Sequence, residues 1–334
     1  MTETILLKRE KYVDVVAGFF IALMIYQHCI HFSHFHEPVS YYLIGFFMPF
    51  FFYKSGMFFT PKQQSTLMKK DANKLLRSFV VYSFIGWVVW CACGLINESL
   101  LVKDCIVRPI RSFFHHGSVV GNEALWFLLT LFIVRQCANV MLKKMPPLVL
   151  SAICFLPAFT LYVLGWYRYS WWFGNIFSGM CFFGLGYWLK GKNNTILIML
   201  SIVFLSFVVF ANSAGWIHGF PRLSMHQNKM LCGNYLLFYP TALAGIIVIN
   251  GIFRYLCKFI RFRMLEYIGV NAMNFYVTHW ILFVFVVFVV KKFFIIDSPV
   301  IIYVILLGAS ILILPIINES LNTLKTKKIF QNIL

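Results

Sequence analysis

The sequence predicts an all-α, polytopic membrane protein with about ten transmembrane helices and both termini in the cytoplasm. Three observations support this prediction: the composition, the spacing of apolar segments, and the distribution of Lys and Arg. Of the 334 residues, 60% are hydrophobic and only 12% are charged, whereas a soluble domain has about 25% charged residues. The chain also has 38 Phe residues. A surface that largely faces lipid is therefore expected, and a soluble globular protein is excluded.

Ten apolar windows of bilayer-spanning length follow one another along the chain. They lie at residues 12–32, 40–59, 78–96, 123–142, 148–167, 170–189, 195–211, 235–253, 267–290 and 298–318. Because little chain remains between the windows, residues 1–334 are expected to form a single integral-membrane domain. An even number of spans places both termini on the same side of the membrane.

The positions of Lys and Arg predict which side that is. With a cytoplasmic N-terminus, 19 of the 29 Lys and Arg residues fall in cytoplasmic segments and 8 in outer connections. Cytoplasmic loops of membrane proteins carry such an excess. We therefore expect a multi-pass protein of the cell membrane, with a bacterial plasma membrane as its location and membrane lipids around it. The concentration of Lys and Arg in cytoplasmic segments accounts for the formal net charge of +18. No nucleic-acid partner is therefore expected.

Ionisable side chains inside the spans are costly and mark candidate functional positions. They are Asp14, His28, Lys54, Arg135 and His279. Asp14 and His28 are 14 residues apart, so they share one helix face about 21 Å apart along the axis. We interpret that face as the wall of a polar cavity, which His279 can also line. The alternative for each histidine is a hydrogen bond across a helix interface.

Lys54 and Arg135 both lie in the cytoplasmic third of their spans. One interpretation is that their long side chains reach the membrane interface. The other is that they bind the anionic part of a cytoplasmic cofactor.

Four clustered histidines raise the question of a metal site, and two cysteines raise that of a disulfide. His28, His31, His34 and His36 lie close together, but spacings of three residues drift around a helix, and zinc-binding histidines on helices prefer i, i+4. With only Glu37 as a nearby carboxylate, no metal site is predicted. Cys105 and Cys232 share the outer side in the predicted topology and either form a disulfide or stay as thiols.

Four motifs occur in order along residues 12–290. The first span has an acidic residue, a glycine and a histidine, and the second has a Phe-rich run that ends in Ser-Gly. Leu-Trp-Phe-Leu opens the fourth span, and a series of Gly, Asn, Tyr and His lies in the ninth. The residues are Asp14, Gly18, His28, Ser55, Gly56, Trp126, Gly269, Asn271, Tyr276 and His279. In these motifs the chain resembles the acyltransferase 3 family of integral membrane acyltransferases, in its short form without an extracellular domain.

The chain departs from that family pattern at two positions. Ala17 stands where the family has a basic residue 11 positions before the histidine, and Phe47 stands where a histidine often precedes Met-Pro. Lys54 replaces a usual apolar residue, so it is a candidate for supplying the missing charge if it faces the same cavity. A family member that binds without catalysing is therefore one alternative.

The resemblance implies transfer of an acyl group, usually acetyl, from cytoplasmic acyl-CoA to a hydroxyl of an extracytoplasmic glycan or glycolipid. Acetyl-CoA is the expected co-substrate. The expected catalytic residue is His28, which acts as general base or accepts the acyl group transiently. Asp14 is expected to orient the basic cluster or the cofactor, and His279 to bind the sugar or polarise the thioester.

The other expected contacts fall into two sets. The expected cofactor-binding residues are cations on the cytoplasmic side, namely Lys54, Arg135, Arg261 and Arg263, although the last two can equally anchor the loop to anionic lipid. The expected substrate-binding residues are Ser55, Trp126, Asn271 and Tyr276. A transporter or flippase for a glycolipid is the rival class, in which the polar face of the first span lines a transport path.

Overall fold

The structure is a computed structural model that describes residues 11–35, 41–169, 172–192 and 195–326. Within these ranges the chain forms α-helices and one short hairpin. The helices are α1 (Lys11–Ser33), α2 (Tyr41–Met57), α3 (Gln64–Asp71), α4 (Arg77–Ile96), α5 (Val102–His116), α6 (Trp126–Met141), α7 (Pro147–Val163), α8 (Trp172–Trp188), α9 (Thr195–Ser213), α10 (Tyr235–Leu256), α11 (Arg263–Val270), α12 (Ala272–Phe293) and α13 (Pro299–Thr326). The strands are β1 (Arg222–Ser224) and β2 (Lys229–Cys232).

Three short segments extend these helices. A π-helical segment, Ala72–Leu76, joins α3 to α4 without a break, so Gln64–Ile96 is one continuous helix. One 3₁₀ turn, Glu123–Leu125, leads into α6, and another, Trp166–Arg168, follows α7.

Seven helical segments in the described residues are long and apolar enough to cross a membrane. They are Lys11–Ser33, Gln64–Ile96, Glu123–Met141, Thr195–Ser213, Tyr235–Leu256, Ala272–Phe293 and Pro299–Leu324. The apolar helices α2, α7 and α8 have 17 residues each, near the lower limit of about 17 for a span. The all-α, multi-pass class is therefore confirmed. The number of ten crossings and the cytoplasmic termini stay predictions, and Lys8, Arg9, Lys327 and Lys328 lie outside the described residues.

Helix α3, helix α5 and the β1–β2 hairpin occur where the sequence predicts only connections between spans. Helix α5 presents exposed Val102, Ile106 and Ile110 at steps of four residues, the pattern of an amphipathic helix. It ends at Gly117, whose φ of 69° is the left-handed conformation that stops helices. The antiparallel hairpin β1–β2 lies between α9 and α10 and buries Leu223.

Helix α1 packs at the centre of the bundle, against α2 and α10 to α13. Its closest approach is to α11. A Cβ atom on Gly269 would collide with the backbone carbonyl of Asp14, and one on Gly18 with the carbonyl of Leu265. Only glycine allows two backbones to lie this close. The contact fixes α11, and the start of α12 beyond it, against the half of α1 that carries Asp14.

Candidate active site

Two histidines from distant parts of the chain form a direct pair. His28 Nδ1 of α1 lies 2.8 Å from His279 Nε2 of α12. The two rings are nearly parallel, at 4°, with centroids 5.0 Å apart. His279 is fully buried. The structure therefore brings together the two intramembrane histidines that the sequence singled out.

A neighbouring carbonyl determines how this pair shares its protons. His279 Nδ1 lies 3.2 Å from the carbonyl oxygen of Phe275, and a carbonyl can only accept, so we assign the hydrogen to Nδ1. A neutral His279 then has a bare Nε2, which accepts a hydrogen bond from His28 Nδ1. His28 Nε2 is left with a lone pair. The pair thus presents one oriented nitrogen that can act as a base or nucleophile.

His28 lines a cavity of about 240 Å³, which we call the histidine pocket. Its other polar and aromatic lining residues include Glu123, Trp126, His226 and Trp280. The β1–β2 hairpin covers one side through Ser224 to His226 and Leu231. This volume lies below the range of about 300–1,000 Å³ that is typical of drug-sized ligands. The pocket therefore suits a small polar group such as a single sugar ring.

A second pair of histidines lies beside the histidine pocket. The ring of His226 stacks on that of His116, the last residue of α5, with centroids 5.1 Å apart, and lies 5.6 Å from the ring of Trp126. Burial, with a smaller contribution from His116, lowers the pKa of His226 to about 4. His226 is therefore neutral near pH 7. Its Nε2 makes no hydrogen bond with the described residues.

A larger cavity of about 600 Å³, which we call the basic pocket, lies among the same helices. Its charged lining residues are Asp14, Lys54, Lys70, Asp71, Lys74 and Arg135. Its apolar lining includes Ile21, Phe51, Phe127, Leu128 and Leu131. Cations thus outnumber carboxylates four to two among these lining residues. The pocket combines a positive region with an apolar one, which suits a ligand that carries phosphates and a short hydrocarbon group.

Two ion pairs organise the charges of the basic pocket. Arg135 binds Asp71 through two hydrogen bonds, from Nε to Oδ2 at 2.8 Å and from Nη2 to Oδ1 at 3.2 Å. Its Nη1 donates to the hydroxyl of Ser55 at 3.0 Å. Lys54 Nζ lies 3.9 Å from Asp14 Oδ1. Lys54 and Asp14 therefore line the same cavity. Lys54 must lie there if it supplies the positive charge that the family has at the position of Ala17.

We expect Asp71→Asn to destabilise the protein by about 3 kcal/mol, because Arg135 would keep a buried charge without its partner. Asp71 is only 3% exposed. The thermal midpoint in detergent measures this loss. The matched control is Asp104→Asn, which breaks a pair with Arg108 whose side chains are 23% and 52% exposed and should cost less than about 1 kcal/mol. Equal losses in the two variants would contradict the buried pair.

The remaining predicted site residues lie in several places. Trp126 lines the histidine pocket, Ser55 lines the basic pocket, and Tyr276 lines both. Asn271 lines neither of the two pockets: its Nδ2 donates to the Tyr267 carbonyl at 3.0 Å, and its Oδ1 accepts from Asn322. Arg261 and Arg263 are exposed and line neither. The roles of all of these residues stay predictions.

Among the described residues, neither a metal-binding cluster nor a disulfide between Cys105 and Cys232 is present. No group of three or more His, Cys, Asp or Glu side chains in the described ranges is arranged to hold a metal ion. His36 and Glu37 lie outside the described residues. Cys105 and Cys232 are free thiols, and Cys232 Sγ donates to the carbonyl of Phe220.

Sequence reasoning missed several pocket residues. Glu123 is absent from the predicted site residues, although it opens the fourth predicted span, where a carboxylate is unusual. Lys70, Asp71 and Lys74 fall in a segment whose main signal in the sequence is its positive charge. The contact of His226 with His116 had no sequence signal, because it joins a hairpin turn to the end of α5.

Comparison with known proteins gives one match. The family model described as an acyltransferase domain matches residues 10–319, a range that includes both pockets and the histidine pair. No curated protein and no solved structure matches the chain. The resemblance seen in the four motifs is therefore confirmed over most of the sequence. This multi-pass membrane protein belongs to the acyltransferase 3 family, and its activity is that of an acyltransferase.

Proposed function

We propose that the protein is an O-acyltransferase that moves an acetyl group from acetyl-CoA in the basic pocket to a hydroxyl of a glycan or glycolipid in the histidine pocket. The observation that carries this proposal is the position of the two pockets. Both are lined by the same four helices, α1, α2, α6 and α12, and the His28–His279 pair adjoins the second.

The basic pocket supports binding of the donor. In the predicted orientation it opens toward the cytoplasm, where acyl-CoA is found. Lys70 and Lys74 are exposed side chains in its lining and would bind the phosphates, together with Lys54. Arg261 and Arg263, which are also predicted to bind the cofactor, do not line this pocket. The donor arm must then extend along α1 from the level of Asp14 toward His28, about 21 Å away.

The histidine pair supports general base catalysis. A sugar hydroxyl is a poor nucleophile until a base removes its proton. His28 Nε2 accepts that proton as the hydroxyl oxygen attacks the thioester carbonyl carbon. The resulting imidazolium still donates from Nδ1 to His279, which stabilises its positive charge.

The transfer step balances without any further reactant. The new bond is the ester C–O bond, and the bond that breaks is the thioester C–S bond. The thiolate leaves toward the basic pocket and takes the proton that His28 holds. The products are the acetylated acceptor and the free thiol of CoA.

The histidine pocket supports binding of the acceptor. Trp126 and Trp280 provide flat aromatic surfaces for the apolar face of a sugar ring. Glu123 and His226 provide hydrogen-bonding groups for its hydroxyls. Its volume, about 240 Å³, suits one sugar residue of a longer glycan.

Mass spectrometry of surface glycans from cells with and without the protein tests this function. The expected result is an alkali-labile gain of about 42 Da per site, the mass of acetyl in place of a hydroxyl proton. Identical glycans in both cell types would contradict the function and favour a glycolipid transporter or an inactive family member.

A pair of adjacent lysines tests the donor site. With purified protein and labelled acetyl-CoA, Lys70→Ala should raise KM for the donor several-fold, because it loses a phosphate contact. Lys69→Ala, its neighbour in α3 outside the lining of the basic pocket, should leave KM unchanged. Equal values for the two variants would contradict binding of the donor in the basic pocket.

A further inference from the structure

One residue is common to the linings of the basic pocket and the histidine pocket. That residue is Tyr276 of α12. On α1 the basic pocket reaches Ile21 and the histidine pocket begins at Met24, one turn further along. On α6 the boundary falls between Trp126 and Phe127. The two cavities therefore meet at a single level of the bundle, and Tyr276 lies at that level.

The side chain of Tyr276 is held across the bundle. It is 6% exposed, and its hydroxyl donates a hydrogen bond to the carbonyl of Ala124, in the 3₁₀ turn before α6. Its ring packs edge-on against Phe127, with centroids 5.7 Å apart. One hydrogen bond and one aromatic contact thus tie α12 to α6 between the cavities. The hydroxyl is engaged with a backbone carbonyl, so in this conformation it is not available to polarise a thioester.

We propose that Tyr276 is a movable partition that separates the two pockets and keeps the membrane sealed at the site. This inference rests on the proposed function, in which an acetyl group passes from one pocket to the other. Without a partition, the two pockets would form a continuous path for water and ions, and a dewetted aromatic constriction closes such a path. Exclusion of water also protects the thioester from hydrolysis. For transfer, the ring swings aside after its one hydrogen bond breaks.

Leakage of liposomes tests the partition without any substrate. The full-length protein is reconstituted with an entrapped pH-sensitive dye, and proton entry is followed after a pH jump. We expect the wild-type protein to be tight and Tyr276→Ala to leak on the order of tenfold faster, because the constriction is lost. Tyr276→Phe keeps the ring and should stay nearly tight.

The matched control is Tyr239→Ala. Tyr239 is another buried tyrosine, 8% exposed and bonded to Ser178 and Tyr235, but it lines neither of the two pockets. Its removal should leave a cavity without raising the leak. A leak as fast as that of Tyr276→Ala would show that any buried truncation opens the bundle, and would overturn the proposal.

A second variant covers the case in which Tyr276→Ala does not fold. Tyr276→Leu keeps an apolar side chain in the core but cannot reach Ala124, and it should also leak faster than wild type. If folded Tyr276→Ala or Tyr276→Leu protein is as tight as wild type, the partition is wrong. If the variants leak while the wild-type protein transfers no acetyl group, the partition stands and the proposed function fails.

Discussion

His28→Ala is expected to lower the rate of acetyl transfer by about 10²- to 10⁴-fold, the usual contribution of a general base. The residue supplies the nitrogen that His279 orients, and the described structure places no other histidine of α1 in the lining of the histidine pocket. Transfer from labelled acetyl-CoA to the acceptor glycan, measured with purified protein, gives the rate. The thermal midpoint should fall by only a few degrees, since His28 is half-buried and the lost hydrogen bond to the buried His279 costs about 1 kcal/mol.

His31→Ala is the matched control for this variant. His31 lies one turn beyond His28 on α1, is exposed, and does not line the histidine pocket, although its ring lies 6.1 Å from that of Trp280. Its removal should change the rate less than about twofold, because it provides no base. A wild-type rate in the His28→Ala protein would remove His28 from the mechanism.

Gly269→Ala is expected to have the largest effect on stability, about 3 kcal/mol or more, because no side-chain movement can relieve a clash with backbone. The added methyl group would meet the carbonyl of Asp14. Helices α1 and α11 would have to separate, and Asp14 would shift away from Lys54. The yield of monodisperse protein in detergent and its thermal midpoint measure this effect.

Gly308→Ala provides the comparison for that variant. Gly308 is also in a helix, α13, but an added Cβ there meets nothing within 4 Å. Alanine has the higher helix propensity, by about 1 kcal/mol, so this variant should be as stable as wild type or slightly more so. If Gly269→Ala were equally well tolerated, α1 and α11 would not be in backbone contact.

The membrane helices could be predicted from sequence because burial in lipid requires long, continuous apolar segments. The ten predicted windows overlap α1, α2, α4, α6 to α10, α12 and α13, but the ninth window also includes the end of α11 and its break from α12. The same reasoning missed α5 and the β1–β2 hairpin. Alternating polar and apolar residues in α5 lower its average hydrophobicity, and a search for uniform apolar windows passes over such a helix.

The candidate site was only partly predictable. His28, His279, Lys54 and Arg135 were identified because a charged or titratable side chain in a span needs a cavity or a partner. Which side chain contacts each of these four residues depends on how the helices pack against one another, and the sequence carries no signal of that packing. The charge and depth of Arg135 predict that it binds an anion or reaches the membrane interface, and they give no signal of its contact with Asp71, 64 residues earlier in the chain.

The π-helical segment Ala72–Leu76 sets the rotation of α3 relative to α4. Asp71, which binds Arg135, lies just before this segment, and Lys74 of the basic pocket lies within it. A π-helical turn holds one residue more than the α-helical turn it replaces, so if the same residues formed a regular α-helix, everything before them would rotate by about 100° relative to α4. Asp71 would then turn away from Arg135, although every side chain of the ion pair would still be present. The π-helical turn therefore determines where Asp71 lies, and with it the ion pair of the basic pocket.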